Sequence, residues 1–166
     1  MIDLRAELAD ILREFGHPVL LVRTRRCTHC TCWDAVRREP DSGCPVCGGT
    51  GYIYRLEKYL ARQDIGTPVA DSRRGALQQL PIGRMESDLN TFYLPHFARP
   101  VTGDYIMLVG WRNGQPVNLY HVYEILHVMA QRGQGGRIEF YSVLACTRPA
   151  EKEHFAKMLA SWGGQL

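Results

Sequence analysis

Apolar residues recur along this chain with two different periods. Between Leu4 and Phe15 they fall at Leu4, Leu8, Ile11, Leu12 and Phe15, the one-sided stripe of an amphipathic helix. Asp3 stands at the N-cap position and Gly16 at the stop, which predicts a helix over residues 3–15. From His17 to Arg26, and again from Tyr52 to Arg62, the residues are those of β-strands flanking a loop. Val69–Leu94 carries mixed signals, with Asp71, Gly75, Pro81 and Gly83 as breakers and Pro95 just beyond. It reads as a long loop with short strands at Leu77–Met85 and Thr91–Leu94, and loops of this length are commonly functional.

The clearest alternation lies in the second half. Tyr105–Val109 is entered by a Gly103-Asp104 turn, and Trp111–Gly114 contains the Asn-Gly pair of a tight hairpin. Leu119–Ala130 and Arg137–Cys146 read as two long strands joined by the glycine-rich stretch Gln131–Gly136. In the last strand Ile138, Phe140, Ser142 and Leu144 share one face, with Glu139, Tyr141 and Val143 on the other. Pro149 ends the pattern, and Glu151–Trp162 reads as a closing helix. The expected fold is mainly β: a small antiparallel β-barrel or sandwich with an N-terminal helix, a four-cysteine zinc-ribbon insertion and a C-terminal helix. Its segments would be 1–16 for the first helix and 17–62 for strands flanking a zinc module at 27–51. Residues 63–149 would form the barrel with the loop 69–94, and 150–166 the last helix and tail.

With 166 residues, 45% hydrophobic and 22% charged, the composition is that of one soluble domain. No apolar run approaches the roughly 20 residues of a membrane-spanning helix. Asp3 and Glu7 stand where a signal peptide would be basic, so the expectation is a soluble protein of a reducing cytoplasm. The formal charge of +3 is too small to name nucleic acid as the partner. All the basic residues except Lys58, Lys152 and Lys157 are arginines, a bias that suits protein interfaces and phosphate contacts equally.

Cysteine changes the picture. Five of the six cysteines fall within residues 27–47, as Cys27, Cys30, Cys32, Cys44 and Cys47, while Cys146 stands apart. Cys27-x-x-Cys30 and Cys44-x-x-Cys47 have zinc-ribbon spacing, in which each short turn aims two thiolates at one ion. The favoured ligands are Cys27, Cys30, Cys44 and Cys47; Cys32 could replace Cys30, and His29 is a poorly placed nitrogen donor. The run Cys44–Gly51 resembles the Cys-x-x-Cys-x-Gly-x-Gly unit of J-protein chaperones. Four thiolates around Zn²⁺ would lower the formal charge from +3 to +1 and would make a closed, structural site with no open position for water. Residues 33–43 are too short and polar to pack a core, so the metal would act as a staple.

Arg25, Arg26, Arg37 and Arg38 form a basic tip around this module. Trp33 is its one aromatic within the loop, which favours a solvated or protein-facing tip over a nucleic-acid reader. His121, Glu124 and His127 have the look of a metal triad, but strand alternation separates Glu124 from the two histidines. No nucleophile elbow, His-Glu-x-x-His or Walker lysine is present, and Cys146 has no evident catalytic partner. No enzyme is expected.

Gly103-Asp104-Tyr105-Ile106, followed by Tyr120–Ile125, the glycine-rich turn and Arg137–Val143, resembles the head-closure (neck, or head–tail connector) proteins of tailed bacteriophages. An insert like Cys30–Asp34 followed by Cys44–Tyr52 also occurs in phage proteins of this kind. The resemblance covers roughly residues 17–146. It implies a homo-oligomeric ring between portal or adaptor and tail proteins, sealing packaged DNA in the virion neck after assembly in the host cytoplasm. It also implies a channel or interface loop, for which Arg73, Arg74, Gln78, Gln79 and Arg84 are the candidate residues. The competing reading is a zinc-ribbon nucleic-acid-binding or chaperone-like accessory protein. A redox role through Cys32 or Cys146 is a third.

Overall fold

The computed structural model describes residues 3–64 and 89–161. Helix α1 spans Leu4–Phe15: the Asp3 carboxylate accepts from the Arg5 N–H at 3.1 Å, and the Gly16 N–H returns to the Leu12 carbonyl at 3.0 Å. The strands are β1 (His17–His29), β2 (Trp33–Asp34), β3 (Glu39–Pro40), β4 (Tyr52–Asp64), β5 (Leu89–Pro95), β6 (Tyr105–Arg112), β7 (Gln115–Arg132) and β8 (Ile138–Thr147). Helix α2 covers Lys152–Ser161 after a single 3₁₀ turn at Pro149–Glu151.

Six strands pair antiparallel in the order β1-β4-β5-β8-β7-β6, and β6 returns to β1, closing the barrel. Two seams are short. At one, Arg62–Asp64 of β4 lie opposite Tyr93–Thr91 of β5. At the other, Val19–Val22 of β1 lie opposite Leu108–Tyr105 of β6. The β6–β7 hairpin turns on Asn113 (φ 50°) and Gly114 (φ 76°), the paired positive angles that a two-residue turn demands.

Two layers of apolar side chains explain why Val19–Val22 runs without alternation. Val19 and Leu21 point into the barrel with Phe92, Leu94, Ile106, Ile125 and Val143. Leu20 and Val22 face outward, where Met107 and Val122 join Phe155, Met158 and Leu159 of α2. A strand covered on both faces reads as a continuous apolar run.

The fold class agrees with the sequence reading, and several details differ. β1 runs on to His29 because Cys27, Thr28 and His29 keep pairing with Tyr54, Ile53 and Tyr52 beyond a bulge at residues 24–26. The metal module therefore begins at residue 30 rather than 27. Residues 17–62 are not separate from the barrel, since β1 and β4 are two of its staves. The strand expected at Thr91–Leu94 is present as β5, lengthened by two residues at its start and one at its end; what local sequence does not reveal is its long-range pairing, between β4 and β8. In β8, Tyr141 and Val143 do face the interior, and Leu144 turns the other way onto Leu89 and Cys146. The expected strand Leu77–Met85, residues Arg73, Arg74, Gln78, Gln79 and Arg84, and Trp162 of the expected last helix lie outside the described residues.

Candidate metal centre

Where β1 ends, the chain makes two knuckles before re-entering the sheet at β4. Between them the short β2–β3 ladder sets Trp33 opposite Pro40 and Asp34 opposite Glu39. Its turn is closed by Asp34 Oδ1, which accepts from the N–H groups of Val36 (2.8 Å) and Arg37 (3.1 Å). The second knuckle is tied by Cys44 N–H to Asp41 O (3.1 Å) and by Gly48 N–H to Cys44 O (3.0 Å). Cys30 N–H to Gly51 O, at 2.8 Å, joins the two knuckles.

These bonds gather the sulfurs of Cys30, Cys32, Cys44 and Cys47 within 4.8 Å of one another. Cys30 Sγ lies 3.8 Å from Cys44 Sγ, and Cys32 Sγ lies 3.4 Å from Cys47 Sγ. A tetrahedron of sulfurs about 2.3 Å from a central ion has edges of about 3.8 Å, so the four thiols fit a single metal ion. The Gly51 N–H already donates to Cys47 Sγ at 3.3 Å, the kind of bond that stabilises a coordinated thiolate. No disulfide joins any of the six cysteines.

Electrostatics divide the cage. Burial, followed by hydrogen bonding with Cys47 and Cys44, pushes the Cys32 thiol up to about 12. The backbone N–H groups of Cys47 and Val46 bring Cys44 down to about 7. Four thiolates packed this closely require a cation between them, and a bound metal would displace the protons that otherwise keep the cage from full ionisation.

The first knuckle is therefore Cys30-Thr31-Cys32, and the expected ligand Cys27 is corrected. Cys27 belongs to the β1–β4 ladder opposite Tyr54, three residues and about 10 Å of extended strand before Cys30. Cys32, expected only as a substitute for Cys30, joins Cys30 in the cage. His29 does not enter it: its ring packs on Trp33 and Tyr52, with centroids 4.5 and 4.9 Å away. Two glycines let the knuckles close this tightly. Gly51, at φ 76°, carries the Trp33 ring where a Cβ would come within 2.7 Å of it. Gly48, at φ 63°, meets the His154 ring of α2, whose Nδ1 would lie 2.7 Å from an added Cβ.

The basic tip splits in two. Arg37 and Arg38 sit on the β2–β3 turn, whereas Arg25 and Arg26 ride the β1 bulge at the barrel rim. Beside that bulge is a buried ionic cluster that the sequence reading missed. Arg23 donates to Glu57 (2.8 Å), to Asp104 (3.2 Å) and to the carbonyls of Arg99 (2.9 Å) and Ala98. Asp104 also accepts from the N–H groups of Thr24 (3.1 Å) and Val101 (3.2 Å). An arginine directly after four apolar strand residues, together with the Gly-Asp turn, was the available signal. His121, Glu124 and His127 form no candidate metal group among the described residues, and Glu124 is ion-paired with Arg148.

Comparison with protein-family models finds no match for this chain, and comparison with curated proteins finds none either.

Proposed function

We propose that this protein is a structural subunit of a tailed-phage head–tail connector. In this reading it forms a homo-oligomeric ring between portal or adaptor and tail proteins in the virion neck, closes the filled capsid, and catalyses no reaction. The observation that carries the reading is the state of α1. Of its apolar stripe only Leu12 is buried, while Leu4 is 40% and Phe15 60% exposed. A helix with a stripe this open is suited to completion by a neighbouring subunit, and a closed ring repeats one such heterologous contact around its axis.

The metal in this reading is Zn²⁺, held by Cys30, Cys32, Cys44 and Cys47. Four soft sulfur donors select it, and a full thiolate set leaves no position for substrate, so the ion supplies folding free energy to the module.

Native mass spectrometry of the purified chain, alone and with portal and tail extracts, tests the assembly. Closed multimers, or incorporation into purified virions at ring stoichiometry, are expected. Leu4→Glu with Phe15→Glu should abolish assembly while the monomer stays folded. A strict monomer under all these conditions, absent from virions, overturns the reading. Elemental analysis of never-chelated protein should find one zinc per chain.

A further inference from the structure

A cleft of about 330 Å³ opens at the barrel rim beside the buried ionic cluster. Its cationic lining is Arg23, Arg25, Arg26 and Arg99, and its aromatic lining is Tyr59 and Phe97. The carboxylates within it, Glu57 and Asp104, are already engaged by Arg23 at 2.7 and 3.2 Å. The rim arginines differ. Arg26 reaches Glu57 only at 3.7 Å, and no carboxylate among the described residues pairs with Arg25 or Arg99.

The segment carrying Phe97 and Arg99 is held in place before any ligand arrives. Arg23 binds the carbonyls of both Ala98 and Arg99 from below. Arg99 is one of three non-glycine residues at positive φ among those described, at 44°. Strained backbone fixed by a buried ion pair marks a segment whose shape matters more than its local energy. Phe97 is nonetheless 61% exposed, with Tyr59 beside it at 5.9 Å between centroids.

We propose that this cleft binds a nucleotide unit, with its phosphate on Arg25, Arg26 and Arg99 and its unpaired base stacked on Phe97. Arginines next to an exposed aromatic ring are the combination that single-stranded nucleic acids use, since every base has a π-face and every linkage a negative charge. An acidic peptide would satisfy the arginines and leave Phe97 uncovered. The proposal does not rest on the connector reading, because it concerns the isolated chain whatever its assembly state.

The test is fluorescence anisotropy of a labelled fifteen-residue oligothymidylate with the metal-loaded full chain, at low salt and across a salt series. Binding that weakens with salt is expected, with duplex DNA of equal length bound at least tenfold more weakly. Phe97→Ala should weaken oligothymidylate binding by roughly 5- to 100-fold, and Phe97→Tyr should restore it. Arg25→Glu with Arg99→Glu should weaken binding and flatten the salt slope. Arg37→Glu with Arg38→Glu, outside the cleft, should change affinity less than twofold. Competition by thymidine monophosphate alone would identify the free nucleotide as sufficient, and its absence would assign the site to strands; either supports the cleft. No binding at low salt overturns the proposal. So do an unaffected Phe97→Ala, equal binding of duplex, equal competition by polyglutamate, or loss confined to the Arg37/Arg38 variant. Unchanged melting of each variant separates lost contacts from lost fold.

Discussion

The barrel and the knuckle module are held together by different physics. In the barrel, Val19, Leu21, Phe92, Leu94, Ile106, Ile125 and Val143 are wholly withdrawn from water. In residues 30–51 the buried hydrophobic positions are Cys30, Cys44 and Cys47, while Val36 is 92% and Val46 40% exposed. One region is stabilised by apolar area, at about 25 cal/mol per Å², and the other by hydrogen-bonded turns around four sulfurs that call for an ion. A single chain can thus carry a segment with no apolar core of its own, provided that other chemistry supplies the missing free energy.

The hardest test of that division is to empty the cage. Cys44→Ser with Cys47→Ser should take bound metal from one ion per chain to none and open residues 30–51 to proteolysis, while far-ultraviolet circular dichroism keeps the barrel's β signal. Next in size is the reciprocal experiment. Phe92→Ala should cost about 3–5 kcal/mol of global stability in denaturant titration, and folded molecules should retain full metal content.

Acid tests the ionic cluster at the barrel rim. Burial would raise the Glu57 carboxyl, but bonds from Arg23 and Tyr59 and the charges of Arg23 and Arg55 outweigh it and hold the group below its ordinary value. Its contribution to stability is therefore complete at neutral pH, and it is lost as the pH falls from the ordinary carboxylate range through the depressed folded value. Glu57→Gln should flatten that part of the melting temperature–pH curve. The smallest effect belongs to Cys27→Ser, which should leave metal content unchanged where Cys32→Ser reduces it.

What the sequence made legible is what local chemistry encodes. Asp3 and Gly16 bracket α1, Asn113-Gly114 turns a hairpin, and paired cysteines announce a metal-binding cage. Cys32 was legible only as a substitute for Cys30, and that it joins Cys30 while Cys27 stays out was not local, because it depended on how far β1 stays in register with β4 after its bulge. A strand at Thr91–Leu94 was legible but its partners were not: Leu89–Pro95 becomes a stave only by meeting residues 62–64 and 140–146. Arg23 looked like one base among many, and its burial required Glu57 and Asp104 to arrive from elsewhere in the chain.

Helix α2 touches both regions, with Phe155, Met158 and Leu159 seated on the barrel's outer layer and the adjacent His154 ring filling the space over Gly48. Four consecutive or near-consecutive side chains on one short rod thereby brace the protruding end against the body. A sideways push on the protrusion would be passed along that strut into the staves instead of being spent in bending a swivel.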